Sequence, residues 1–231
     1  IACSAGNHAQ GVALAAKKNN AKATIFLPST APISKVEATR SYGAEIKLID
    51  GVYDDAYEAA VKFQKETGGA FIHPFDDEDV IAGQGTIALE LLREMPDLEA
   101  VIIPIGGGGL AAGISYVIKS LHPTCKVYGV QAVGADAMCQ SLTGHCHCMT
   151  NAVRTFADGI AVKNPGEITF SLCNKYVDDI VTVSDDETAT AILTLMEQQK
   201  LVTEGAGAVS VAAAMFNKVP VDGKKTCAIL S

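Results

Sequence analysis

Two short stretches of this 231-residue chain carry residue types whose spacing could do chemistry. The first is Ser4-Ala5-Gly6-Asn7-His8, which packs a hydroxyl, an amide and an imidazole into one tight turn. It sits between a strand-like start and a helix-like run from Asn7 to Lys18. Backbone N–H groups at a helix start can bind a carboxylate. Asn7 offers both a donor and an acceptor to a ring hydroxyl. For Ser4 taken alone, helix capping is the favoured reading. The second stretch is "PIGGGGLAAG", with Gly106, Gly107, Gly108 and Gly109 followed by Leu110. Four glycines let a backbone approach a ligand closely, and a helix N-terminus adds partial positive charge, so the turn suits a phosphate. Tight helix–sheet packing is the competing explanation.

The residues after the glycines narrow the kind of phosphate. A P-loop carries Lys-Ser or Lys-Thr there, and Leu110-Ala111-Ala112 stand in that place instead. A dinucleotide fold places an acidic residue at the end of the next strand, and "KVYGVQ" ends in Gln131. A small phosphorylated cofactor without a ribose fits better. Other reactive types read more plainly. Lys35 in "APISKVEA" reads as a solvated surface lysine, and His73 at a strand end as a structural histidine. "GHCHCM" crowds His145, Cys146, His147 and Cys148 together, but adjacent residues cannot all face one tetrahedral ion, so it reads as a mobile loop. The acidic runs "DDEDV" and "DDETA" read as solvated helix starts.

Alternating elements position these loops. "KATIFLP", "EIKLID" and "AFIHP" read as strands; "SKVEATRSYGA" and "DDAYEAAVKFQKETGG" read as helices, the latter closed by two glycines. The acidic "FDDEDV" could mark a junction. A second series comes after it: helix "GQGTIALELLREM", strand "EAVIIPI", helix "LAAGISYVIKSL", strand "CKVYGVQ", an irregular stretch from Gly134 to Pro165, strand "DIVTVS", helices "DDETATAILTLMEQQ" and "GAGAVSVAAAMFN", and strand "KTCAILS". Such alternation with continuous apolar strands predicts parallel sheets covered on both faces. Ligands in such folds bind at the carboxyl ends of strands, where the quoted loops lie. The uncharged run Ala100 to Ile118 has the length of a membrane span, but Pro104 and the glycines favour strand, turn and helix.

The chain is 48% hydrophobic and 19% charged, within the globular range, and its net charge of -8 disfavours nucleic acid and anionic membranes. Seven cysteines, several in apolar strand-like runs, read as reduced thiols in a cytoplasmic protein.

"SAGNHAQG", "GGGGL", "IAGQGTIALE", "ADGIAV", "TEGAGA" and the terminal "AILS" together resemble the fold-type II pyridoxal-phosphate enzymes, in the expected order and across the whole chain. The nearest group is threonine ammonia-lyase and serine dehydratase, with serine racemase as kin. The resemblance implies a tryptophan synthase β-like α/β fold of two three-layer α/β/α domains with mainly parallel sheets. Residues 1–74 would form a small domain and residues 75–231 a large one. It implies pyridoxal 5'-phosphate as cofactor, with Asn7 on its ring oxygen, Gly106 to Leu110 on its phosphate and Ser231 at its ring nitrogen. Gly159 and Glu204 would lie near the ring, and Ser4, Ala5, Gly6 and His8 around the substrate carboxylate. The substrate would be threonine or serine, and the assembly a homodimer or homotetramer.

The Schiff-base lysine that this chemistry needs sits, in the family, in a Ser-Phe-Lys type motif upstream of the asparagine loop. No such motif occurs here, so the catalytic lysine is expected upstream of Ile1 and the chain is expected to be truncated at both ends. Ala5 stands where racemases carry a second serine, which favours β-elimination over racemisation. Gln131 and Ala137 stand at positions of the racemases' divalent-cation ligands, so no metal is expected. A serine racemase-like enzyme and a non-catalytic ligand-binding protein are the alternatives.

Overall fold

The computed structural model describes residues 1–51 and 53–231, which cluster into two compact units, Ile1–Pro74 and Phe75–Ser231. The first unit holds a parallel sheet of β1 (Ala2–Cys3), β2 (Thr24–Pro28) and β3 (Glu45–Ile49) in that order. Three helices cover it: α1 (Asn7–Lys18), α2 (Ile33–Ser41) and α3 (Tyr53–Thr67). Alternate strand residues point to opposite faces, and both faces are apolar here. Ala2, Ile25 and Leu27 pack with Ala9 and Ala13 of α1 and Val36 of α2. Cys3 and Phe26 pack with Ala56 and Ala60 of α3 on the other side. Two buried faces make three layers.

The second unit repeats this design on a larger scale. Its strands are β4 (Ala100–Pro104), β5 (Lys126–Ala132), β6 (Asp179–Val183) and β7 (Thr226–Ala228), all parallel, in the order β6-β5-β4-β7. Its helices are α4 (Glu78–Glu94), α5 (Gly109–Leu121), α6 (Ala137–Gly144), α7 (Glu167–Tyr176), α8 (Asp185–Thr194) and α9 (Gly205–Met215). Central β4 is buried along its whole length, which explains a sequence of unbroken apolar residues rather than an alternation. Ile102 faces the α9 layer with Val209 and Ala213. Val101 and Ile103 face the α4 and α5 layer with Ala88 and Ile114. The run from Ala100 to Ile118 is strand, turn and helix, and among the described residues no helix is long and apolar enough to cross a membrane.

One ionic cluster fastens the β5–β6 edge. Asp178 lies 2.5 Å from the Lys119 ammonium and 2.9 Å from that of Lys126, and accepts the Val127 N–H at 2.8 Å. Burial pushes its carboxyl up, but these three donors outweigh that and hold it below the usual carboxylate range.

Four expectations from the sequence need correction. "AFIHP" is not a strand: Ile72 donates to the Ile1 carbonyl and the Ile1 ammonium to the Ala70 carbonyl, but β1 is too short to extend the ladder. The stretch from Gly134 to Pro165 contains α6 and a 3₁₀ turn at Asp158–Ile160. Helix α7 occupies a stretch for which the sequence predicts no element. Lys35 is half-buried in α2 rather than fully solvated.

Helices α4 and α5 approach closely through Gly85 and Gly113. A Cβ on Gly113 would lie 2.7 Å from the Gly85 nitrogen and closer still to the Ile81 carbonyl oxygen, both backbone atoms that cannot swing aside. Gly113→Ala is therefore expected to destabilise the protein by about 1–3 kcal/mol, read as a lower urea midpoint at unchanged slope. An unchanged midpoint would show that the two helices are not held at this spacing.

Candidate active site

The glycine turn leaves the carboxyl end of β4, the position at which open parallel sheets bind ligands. Gly108 takes φ +100°, a conformation that only glycine adopts without strain, and hands the chain to α5 with no side-chain cap. Its neighbours leave no room for side chains. A Cβ on Gly107 would strike the Phe75 ring, and one on Gly109 would sit 3.0 Å from the Phe75 Cα. One on Gly106 would sit 3.0 Å from the Ile160 Cα.

The hydrogen bonding of this turn is one-sided. The Gly107 carbonyl accepts the Thr169 hydroxyl at 2.6 Å and the Gly166 N–H at 3.3 Å, and the Gly108 carbonyl accepts the Ala112 N–H at 2.8 Å. By contrast, among the described residues none of the backbone N–H groups from Gly106 to Leu110 has a protein acceptor. Gly107, Gly108 and Gly109 are buried. Buried donors in native proteins are rarely left without acceptors, and here they cluster at the positive end of a helix. Such a cradle fits a phosphate.

A residue that the sequence does not single out as chemical holds the cradle in place. Asp76 accepts the N–H groups of Glu167 at 3.1 Å, Ile168 at 3.0 Å and Thr169 at 3.1 Å. It thus caps α7, whose own N-cap residue, Gly166, has no side chain to do so. A side chain at 166 would collide with the Asp76 carboxylate. Capped in this way, α7 presents the buried Thr169 hydroxyl to the Gly107 carbonyl. Asp76 is therefore not a solvated helix start; Asp77 beside it caps α4 through the Asp79 and Val80 N–H groups.

Of the other expected positions in this unit, Gly159 lies against the same turn. Gly106 abuts the Gly159 carbonyl, and a Cβ on Gly159 would lie 3.1 Å from the Glu204 Oε1. Glu204 is the N-cap residue of α9. One on Gly207, in the first turn of that helix, would lie 2.5 Å from the Ser231 carbonyl oxygen. Gln131 serves as framework: its Nε2 donates to the Ile105 carbonyl at 3.1 Å and its Oε1 accepts the Cys139 N–H at 2.7 Å. Both ends of the amide are thus engaged and the side chain is fully buried.

In the first unit, Ser4 to His8 link β1 to α1. Ser4 donates its N–H to the Phe26 carbonyl, and its hydroxyl accepts the Gly6 N–H at 3.1 Å. Asn7 is exposed at the start of α1, which has no side-chain cap. The His8 Nε2 lies 3.0 Å from the Ile72 carbonyl oxygen, so a neutral ring protonated there donates to it. That contact ties the loop to the segment after α3. His73 stacks edge-on with Tyr57 within the same unit.

A three-layer parallel fold whose central strand ends in a turn of free backbone donors is an α/β architecture suited to a phosphorylated ligand. The chain matches the pyridoxal-phosphate dependent enzyme family over residues 1–231 and belongs to it. It is 52% identical over its full length to an L-threonine ammonia-lyase of Thermotoga maritima, covering 57% of that protein. It is 47% identical to an L-threonine ammonia-lyase of Geobacter sulfurreducens, covering 58% of it. The chain thus spans somewhat over half the length of these relatives. Among solved structures it is similar to processed threonine deaminase isoform 2 from Solanum lycopersicum, with a TM-score of 0.94 at 39% identity over 100% of this chain and 64% of that one. It is also similar to maize serine racemase, with a TM-score of 0.93 at 34% identity over 99% of this chain and 70% of that one. The free N–H donors of Gly106 to Leu110 fit the phosphate of this family's cofactor.

Asp76→Ala removes the cap of α7 and frees Thr169 to drift from Gly107. Loss of such charge-assisted bonds is worth about 1–3 kcal/mol, so affinity for pyridoxal phosphate is expected to fall on the order of 10-fold or more. Fluorescence titration of the apo protein with pyridoxal phosphate and with pyridoxal checks this. The loss should be confined to the phosphorylated ligand; equal losses for both would mean that Asp76 does not act through the cradle.

Proposed function

We propose that the protein deaminates L-threonine, and L-serine as a second substrate, by β-elimination with pyridoxal phosphate as cofactor. Threonine gives 2-oxobutanoate and ammonia, and serine gives pyruvate and ammonia; the water lost in elimination is regained on hydrolysis. The observation that carries this reading is the 52% identity across all 231 residues to a protein named L-threonine ammonia-lyase.

In this reading the N–H groups of Gly106 to Leu110 bind the cofactor phosphate, aided by the dipole of α5. When bound, pyridoxal phosphate supplies a sink for the electron pair left as the substrate Cα proton departs. Ser231 offers the ring nitrogen a neutral hydroxyl rather than a carboxylate. A neutral hydroxyl at that place would leave the electron sink weaker than a carboxylate partner would, which suits elimination of a β-hydroxyl. By the family resemblance Asn7 would donate to the ring oxygen, and Gly159 and Glu204 would lie near the ring. Ser4, Ala5 and Gly6 surround the substrate carboxylate. His8 serves there through its backbone, because its ring is engaged with the Ile72 carbonyl. The lysine that moves the Cα proton comes from outside residues 1–231.

Ala5 favours elimination over racemisation. A methyl group has no proton to deliver to the opposite face of Cα, so the loop offers no second acid. The engaged amide of Gln131 supports a reaction without a divalent cation at that position. The working form is a cytoplasmic homodimer or homotetramer that acts on free amino acids, and the net charge of -8 argues against nucleic-acid or anionic-membrane partners.

Incubating the full-length holoenzyme with L-threonine and with L-serine tests the proposal. The expected result is oxo acid and ammonia in equal amounts, with no D-amino acid. Accumulation of D-serine without ammonia would replace deamination by racemisation.

A further inference from the structure

The run Gly144-His145-Cys146-His147-Cys148 has no part in the proposed deamination, yet its geometry is specific. Helix α6 ends at Gly144, and His145 takes φ +51°, which reverses the chain. The returning segment is then pinned: the Cys146 N–H donates to the Ser141 carbonyl at 3.1 Å, and the Cys148 N–H to the Ser141 hydroxyl at 2.8 Å. Ser141 is itself fully buried and donates to the Ala137 carbonyl. The middle residue, His147, is drawn away by the Pro165 carbonyl, 2.8 Å from its Nε2, and by the edge of Phe170. With His147 fixed, Cys146 and Cys148 meet, and their sulfurs lie 3.3 Å apart. A disulfide needs about 2.05 Å, so these are two free thiols held in contact.

The pair also has an order of reaction. Cys146 is exposed, whereas Cys148 is half-buried and its sulfur is 3.2 Å from the Cys146 carbonyl oxygen. An external disulfide therefore meets the Cys146 sulfur first, with Cys148 behind it as the second thiol. Of the other five cysteines none is exposed: Cys3, Cys125 and Cys173 are buried, and Cys139 and Cys227 are half-buried. Cys3 and Cys173 are buried and pushed up to about 12, and Cys125 to about 11. A metal site would need further ligands, and among the described residues no three or more His, Cys, Asp or Glu converge to hold an ion.

We propose that Cys146 and Cys148 form a reversible dithiol–disulfide site that exchanges with low-molecular-weight disulfides. The Cys146 thiolate attacks one sulfur of the external disulfide and expels the other as a thiolate, forming a mixed disulfide. The Cys148 thiolate then attacks the Cys146 sulfur, and the second external thiolate leaves. The protein thiols give up two protons and two electrons; the external disulfide takes both electrons, and its two thiolates take the protons.

Glutathione disulfide is a suitable probe. The full-length protein is reduced, freed of reductant, exposed to the probe, quenched with acid, alkylated and digested. The peptide carrying residues 146–148 is expected two hydrogens lighter, unalkylated at both cysteines, and restored by dithiothreitol. In Cys148→Ser, glutathione should instead remain on Cys146. The proposal is overturned if the unsubstituted protein keeps glutathione on Cys146 as that variant does. It is equally overturned if both thiols alkylate fully despite excess disulfide, or if either bonds to a different cysteine. Zinc that shields both thiols while no oxidised peptide forms at any disulfide ratio would assign the pair to metal binding instead.

Discussion

A row of backbone donors without acceptors governs the larger unit. From Gly106 to Leu110 the chain directs its N–H groups away from every protein acceptor among the described residues, and three of those residues are buried. Leaving a buried donor unmade costs about 1–3 kcal/mol, so the arrangement must be imposed by the surroundings. Phe75 presses on Gly107 and Gly109, and Ile160 closes over Gly106. Thr169 holds the Gly107 carbonyl from behind, and Asp76 holds the helix that carries Thr169. The Thr169 hydroxyl fixes the Gly107 carbonyl, and because the peptide is planar and trans the Gly108 N–H it carries points the opposite way. The glycines are required because side chains would strike these same supports.

The scaffold beneath is generic by comparison. Both units bury parallel strands between helical layers through alternating apolar contacts. That pattern fixes where strands end and therefore where loops capable of binding emerge. In the proposed function the specific chemistry rests on the few polar choices at those ends. Asn7 starts an uncapped helix in the first unit, and Glu204 stands beside Gly159 in the second. Gln131 shows the opposite case: a polar side chain at a strand end, fully buried and consumed by the framework.

What is legible in the sequence is local. The glycine turn and the Ser4 to His8 turn each announce themselves within ten residues, and the apolar run of β4 marks a strand buried on both faces. Long-range capping is invisible to such reading. Helix α7 has no capping side chain of its own, and its cap comes from Asp76, 91 residues away from Glu167. Asp76 is hidden because it lies in an acidic run where every carboxylate resembles a surface group. "AFIHP" misleads in the opposite sense: its residues suit a strand, but the edge beside it is only two residues long. The cysteine pair needs the left-handed His145, which no periodicity signals.

The most direct test of the cradle is NMR of the apo protein labelled with ¹⁵N-glycine and ¹⁵N-leucine, titrated with pyridoxal phosphate. The amide resonances of Gly106 to Leu110 are expected to move together and to gain protection from hydrogen exchange, because their N–H groups acquire an acceptor. If those resonances stay in place and exchange freely while the cofactor binds, the turn does not hold the phosphate.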